Sequence, residues 1–142
     1  MNEKDKLLVD LLKANARQSI SELARTLGVS RTAVQQRLSR LERDGIIAGY
    51  SVILGDRHRE NLIRAHINLT IKPSAGKLIA QTLEKIPVIE TLFTVSGKID
   101  MIAIVTARNA TELDSYLDQI SAIPGIQSTE TAIILTTKFS RS

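Results

Sequence analysis

Cysteine and tryptophan are absent from this chain, and aromatic residues make up only 3% of its 142 residues. Without cysteine there is no disulfide framework, no thiolate zinc site and no thiol nucleophile, which fits a reducing compartment. The scarcity of aromatic side chains argues against a stacking platform for single-stranded nucleic acid or RNA.

Long apolar runs and histidines are also scarce. No stretch reaches the roughly 18 apolar residues of a membrane span, and the first residues are charged, so we expect a cytoplasmic protein without a secretory signal. His58 and His66, the only histidines, form neither a metal cluster nor a catalytic dyad pattern. P-loop and nucleophile-elbow motifs are missing. We therefore expect no enzyme activity, no cofactor, no metal site and no membrane partner.

Positive charge is concentrated in one segment. Residues 17–43 contain six arginines and two glutamates, an excess that equals the net charge of +4 of the whole chain. The 43% of hydrophobic and 24% of charged residues are typical of a globular protein. A localised basic patch on such a protein indicates a polyanionic partner.

The basic segment has the pattern of a helix-turn-helix. Leucines recur at helical spacing near the start of the chain, where Asp5 is expected to cap the first helix. Ser19 and Glu22 have the spacing of a capping box for a second helix. Gly28 provides the turn that ends this helix, and Ser30 caps a third one. The pattern therefore predicts a three-helix DNA-binding module.

The third helix carries a polar face for which we predict no partner inside the protein. With Val34, Leu38 and Leu41 turned inward, the far side presents hydroxyl, amide and guanidinium groups. We expect Arg31, Thr32, Gln35 and Gln36 on the first turns to read base edges, and Arg17, Arg37, Arg40 and Arg43 to hold phosphates. The candidate DNA-binding residues are Arg17, Ser30, Arg31, Thr32, Gln35, Gln36, Arg37, Arg40 and Arg43. The simpler alternative is that the arginines only keep an exposed helix in water.

The second half of the chain changes its pattern. After a short strand or wing at residues 46–54, strands and helices follow in the order β-α-β-β-α-β, with the last strand contained in residues 126–139. This order predicts a ferredoxin-like domain of the α+β class with two helices on one face of an antiparallel sheet. The other face is expected to be apolar and covered by a second copy in a two-fold dimer.

These patterns divide the chain into three parts. They are a winged helix-turn-helix domain at 1–50, a linker at 51–61 and a ferredoxin-like effector-binding and oligomerisation domain at 62–142.

Short motifs in both halves resemble one family. They are Asn15-Ala-Arg17, Glu22-Leu-Ala24, Leu27-Gly-Val-Ser30, Arg40-Leu-Glu-Arg43, Gly45-Ile-Ile47, Val95-Ser-Gly97 with Asp100, Pro124-Gly-Ile126 and Thr131-Ala-Ile-Ile. In this order they resemble the Lrp/AsnC family of bacterial and archaeal transcriptional regulators. The resemblance implies dimers formed through the second domain, further assembly into tetramers or octamers, and control by a small effector, usually an amino acid.

By the same resemblance, the effector lies near a Gly-x-x-Asp turn and a facing last strand. Free amides in such a turn can hold a carboxylate, and an aspartate can pair with an ammonium group. The implied effector-binding residues are Ser96, Gly97, Lys98, Asp100, Thr129 and Thr131. The alternative is an ordinary hairpin turn in which Asp100 caps a turn amide.

We therefore expect a sequence-specific regulator that binds double-stranded DNA and responds to a small molecule. One alternative is an enzyme similar to the siroheme decarboxylases, which share this scaffold. The arginine-rich and glutamine-rich third helix and the scarcity of histidine disfavour it. Another alternative is an architectural DNA-binding protein without an effector.

Overall fold

Residues 1–59 and 61–140 are described by a computed structural model of the chain. The chain divides into two compact units, Met1–Ile53 and Leu54–Ser142. This division falls inside the segment predicted as a linker. A single helical turn, α4 (Asp56–Arg59), occupies part of that segment, where the sequence predicted no regular structure. Among the described residues, no helix is long and apolar enough to cross a membrane.

The N-terminal unit is helical. Its described residues form α1 (Glu3–Ala14), α2 (Ile20–Leu27) and α3 (Arg31–Arg43). Ser19 and Glu22 form the predicted capping box at the start of α2, and the Ser30 hydroxyl accepts a hydrogen bond at the start of α3. Gly28 has a φ of 68°, a left-handed conformation that costs other residues about 1–2 kcal/mol. The predicted helix-turn-helix is thus confirmed.

The prediction for the cap of α1 was wrong. Asn2 is the N-cap, and its side-chain oxygen accepts a hydrogen bond from the Asp5 amide at 2.8 Å. Asp5 takes the other position of the capping box, where its carboxylate accepts from the Asn2 amide at 3.4 Å. Acidic residues are favourable anywhere in the first turn of a helix, so the residue type alone does not separate the two positions.

A small apolar core joins the three helices. Leu8, Leu23 and Leu41, one from each helix, are fully buried. Beyond α3, residues 46–54 form no strand, contrary to the strand predicted there. The Ile47 amide donates to the Leu41 carbonyl at 3.0 Å and turns the chain back, whereas Val52 is exposed. High β-propensity is not sufficient here, because a strand needs a partner for its backbone groups.

The C-terminal unit is a sheet with helices. Its described residues form β1 (Ile63–Ile71), α5 (Gly76–Glu84), β2 (Ile89–Thr94), β3 (Met101–Ala107), α6 (Ala110–Ser121) and β4 (Ile126–Ile134). All strand pairs are antiparallel in the spatial order β2-β3-β1-β4, which confirms the ferredoxin-like prediction. β4 lies within the predicted segment 126–139 and ends where Ile134 pairs with Arg64, next to the first residue of β1.

The two faces of this sheet differ. Alternate residues of β1 and β3, such as Ile67 and Val105, are buried and pack with Ile79 of α5 and Ile120 of α6. The register places a mixed set of side chains on the opposite face: Arg64, His66, Asn68 and Thr70 from β1, with Ile102, Ile104 and Thr106 from β3. The expectation of an apolar face is therefore wrong for β1, whose outward positions are polar.

Candidate DNA interface and effector loop

The outer face of α3 is a continuous polar surface. A shallow concavity of about 430 Å³ on this face is lined by Thr32, Gln35, Gln36, Ser39, Arg40 and Arg43. Val34 and Leu41, on the inner side of the same helix, are fully buried and fix its rotation. Hydroxyl, amide and guanidinium groups are those that hydrogen-bond to base edges in the major groove.

The remaining candidate DNA-binding residues outside the concavity, and Arg43 at its end of α3, also lie on the surface or at a helix cap of the N-terminal unit. Arg31 lies exposed on the first turn of α3, and Arg17 is exposed in the turn between α1 and α2. The Ser30 hydroxyl is engaged as the helix cap, with the Ala33 amide donating to it at 3.1 Å. Arg43, at the end of α3, has a side chain that is 73% exposed. All four lie outside the apolar core.

Two arginines of α3 do have a partner inside the unit, contrary to the sequence-based expectation. Arg37 Nη1 donates to Asp5 Oδ1 at 2.9 Å, and Arg40 Nη2 donates to both Asp5 carboxylate oxygens at 3.1 Å. Asp5 itself is only 4% exposed. The pairing spans more than 30 residues of sequence, and no local motif could have indicated it.

The charge state of Asp5 follows from these contacts. Burial by itself raises the pKa of the Asp5 carboxyl, because the charged form loses hydration. The hydrogen bonds from Arg37 and from the Asn2 amide, together with the positive charges of Arg40 and Arg37, outweigh burial and lower this pKa below its usual value of 3.8. Asp5 is therefore ionised at neutral pH and neutralises part of the arginine charge.

The candidate effector loop connects β2 and β3. Ser96, Gly97 and Lys98 are exposed, and the loop is closed by a hydrogen bond from the Val95 amide to the Asp100 carbonyl at 3.0 Å. The Asp100 side chain is partly engaged, because its Oδ2 accepts from the Ile71 amide at 2.9 Å. Asp100 thus has a structural role in the loop, and within the part of the chain that the structure describes its Oδ1 has no hydrogen-bond partner.

Thr129 and Thr131 lie on β4, apart from this loop. Thr129 pairs with Leu69 of β1 from one side, and Asp100 donates its amide to the Leu69 carbonyl from the other side at 2.9 Å. Two strand spacings, about 10 Å, therefore separate Thr129 from Asp100. Thr131 pairs with Ile67, which is two residues before Leu69 on β1. A single copy does not bring these threonines together with the loop.

The architecture and the polar α3 face define a helix-turn-helix DNA-binding protein with a separate ferredoxin-like domain. Residues 1–48 match the family model of winged helix-turn-helix DNA-binding domains, and residues 64–142 match that of the Lrp/AsnC ligand binding domain. The second match alone spans more than half of the chain. The chain belongs to the Lrp/AsnC family of transcriptional regulators.

Individual relatives and solved structures are similar to this chain over nearly its whole length. The HTH-type transcriptional regulator LysM of Saccharolobus solfataricus is 32% identical over 140 residues, 98% of this chain and 96% of the relative. The structure of Escherichia coli AsnC has a TM-score of 0.90 at 24% identity, covering 100% of this chain and 97% of that one. A Mycobacterium tuberculosis feast or famine regulatory protein complexed with L-methionine has a TM-score of 0.89 at 32% identity, covering 98% and 95%.

These similarities confirm the predicted family and function, that of a DNA-binding transcriptional regulator with a ligand-binding domain.

Proposed function

We propose that this regulator reads specific sequences in double-stranded DNA through the outer face of α3, and that it acts without enzymatic activity. The observation that carries the proposal is the exposed polar surface of α3, set on a helix whose opposite side is locked into the core. In a two-fold dimer, two such helices would read half-sites about one helical turn apart or a multiple of it. Ile102 and Ile104 on the open sheet face support such a dimer.

Gln35→Ala is expected to relax the base preference. The exposed amide of Gln35 suits a bidentate contact to adenine, which is worth about 1–3 kcal/mol of discrimination. Selection from a randomised duplex library of about three helical turns, a length that spans two half-sites, first defines the duplex preferred by the wild type. Binding of this selected duplex and of a random duplex is then measured for wild type and variant.

Arg43→Ala is the control for a phosphate contact. Removal of the Arg43 guanidinium is expected to weaken binding to the selected and the random duplex by the same factor. It should also lower the slope of log Kd against log salt concentration by about 1. If Gln35→Ala weakened binding to the selected and the random duplex equally, Gln35 would not be a residue that recognises a base. Failure of the wild type to enrich any sequence would instead indicate an architectural DNA-binding protein.

The C-terminal unit is proposed to bind an amino acid at the loop between β2 and β3. The backbone amides of the exposed residues Ser96, Gly97 and Lys98 suit a carboxylate, and Oδ1 of Asp100 suits an ammonium group. The relative with bound L-methionine supports this class of effector. Because Thr129 and Thr131 lie beyond β1 from the loop of their own copy, they would contribute from another copy, which links effector binding to assembly of dimers into tetramers or octamers.

Asp100→Asn is expected to weaken amino-acid binding about tenfold or more, since charged hydrogen bonds contribute about 1.5–3 kcal/mol. Asparagine keeps an oxygen for the Ile71 amide, so the loop is expected to stay folded. Isothermal titration calorimetry against the twenty amino acids measures the effect, with Asp114→Asn on the exposed side of α6 as the matched control. An unchanged Kd in Asp100→Asn would mean that Asp100 serves only the turn.

A further inference from the structure

The contact between Asp5 and the two arginines joins the core of the N-terminal unit to its DNA-facing helix. Asp5 lies on α1 with a side chain that is 6% exposed, whereas the side chains of Arg37 and Arg40 are 21% and 47% exposed. Because Arg37 and Arg40 are three residues apart, they lie on the same side of α3 and share one carboxylate. The buried carboxylate thus reaches two groups that differ in their access to solvent.

The donor groups of the two arginines are used differently. Arg37 Nη1 donates to Asp5 Oδ1 at 2.9 Å and to Asn2 Oδ1 at 3.3 Å, so both hydrogens of this nitrogen are engaged. Arg40 donates through Nη2 alone, and within the described residues Nε and Nη1 have no hydrogen-bond partner. Arg40 also lines the concavity on the outer face of α3. One edge of its guanidinium is held, and the other is available.

We propose that Asp5 is a positioning residue for DNA recognition, which orients the guanidinium of Arg40 so that its remaining N–H groups face the duplex. Arg37 is the internal member of the same cluster and anchors α1 to α3. This inference rests on the proposed reading role of α3. A guanidinium that is already held loses less side-chain freedom when it binds, and its planar donor groups meet their acceptors in a fixed geometry.

Asp5→Asn is the first test, because it removes the charge while keeping the size of the side chain. Because Arg40 lines the same concavity as Gln35 and Gln36, we expect its oriented guanidinium to contact a base edge, in place of the phosphate contact expected from the sequence. The Kd for the selected duplex should then rise about tenfold, the loss of a single well-oriented contact, while the Kd for a random duplex stays within about twofold. Far-ultraviolet circular dichroism establishes that the variant is folded at the temperature of the binding assay. Asp10→Asn, at an exposed position of the same helix, should leave both Kd values unchanged.

A double-mutant cycle separates positioning from stabilisation. If Asp5 acts through Arg40, adding Asp5→Asn to Arg40→Ala causes no further loss of binding to the selected duplex. If Asp5 only stabilises the fold, the two losses add. Additive losses, or a Kd for Asp5→Asn equal to that of the wild type, would overturn the proposal. Absence of a preferred duplex for the wild type would instead contradict the proposed function.

Arg40→Lys provides a test that does not depend on the folding of the Asp5 variants, because the side chain of Arg40 is half exposed. Lysine keeps the positive charge but lacks the planar fork that Asp5 holds. We expect weaker binding to the selected duplex, again by about tenfold, with the salt dependence preserved. Wild-type affinity of Arg40→Lys for the selected duplex would overturn the role of an oriented guanidinium.

Discussion

Gly125→Ala is expected to destabilise the C-terminal unit by about 2–6 kcal/mol. Gly125 has a φ of 97°, and forcing another residue into such a conformation costs about 1–3 kcal/mol. A Cβ at this position would also clash with Ala75 Cβ and lie 3.3 Å from Ile79 Cδ1. Overpacking of this kind costs a further 1–3 kcal/mol or so. Ala75 cannot rotate away, because its Cβ is fixed to the backbone.

Gly76→Ala is the matched control in the same unit. Gly76 has helical φ and ψ angles of −55° and −45°, and an added Cβ would meet Ile71 and Met101 only at 3.6 and 3.8 Å. Alanine there should be neutral or stabilising by up to about 1 kcal/mol. Amide hydrogen exchange of peptides from β1 and β3 measures both variants in the whole protein. Wild-type protection in Gly125→Ala would contradict the clash.

Local signals predicted most of the helix-turn-helix. The capping box of Ser19 with Glu22, the left-handed Gly28 and the cap at Ser30 each depend on residues at most three positions apart. The alternation of β1 likewise predicted which of its residues are buried. Such features can be predicted from the sequence because they depend only on neighbouring residues. The hydrogen-bond partner of a helix cap lies within one helical turn, and the buried face of a strand follows from the alternation of its residues.

Features that depend on distant partners could not be predicted. The Asp5 carboxylate meets Arg37 and Arg40 only after α1 and α3 have packed together. Residues 46–54 have β-propensity but form no strand, and β4 stops within one residue of the start of β1. For the effector loop, the sequence indicated the turn but not that Asp100 already accepts the Ile71 amide.

The second large effect is expected for Asp5→Ala, which removes the shared carboxylate of the N-terminal unit. Breaking a buried ion pair by deleting one partner costs about 3–5 kcal/mol. Since Arg37 and Arg40 keep some access to water, we expect about 2–3 kcal/mol. A unit of this size has a total stability of roughly 3–8 kcal/mol, so α3 would unfold much more often. Hydrogen exchange of peptides from α3 measures the loss, and Asp10→Ala controls for the gain in helix propensity.

The pH dependence of this loss identifies its origin. Because the contacts in the folded state lower the pKa of Asp5 below 3.8, the unfolded state binds more protons as the pH falls through this range. The stability that the carboxylate contributes is therefore fully present above its unfolded pKa and disappears as the pH falls through the lower, folded value. The difference in stability between wild type and Asp5→Ala should be constant near neutral pH and shrink in acid below 3.8. A difference that stays constant through this acid range would indicate lost packing rather than the lost charge of Asp5.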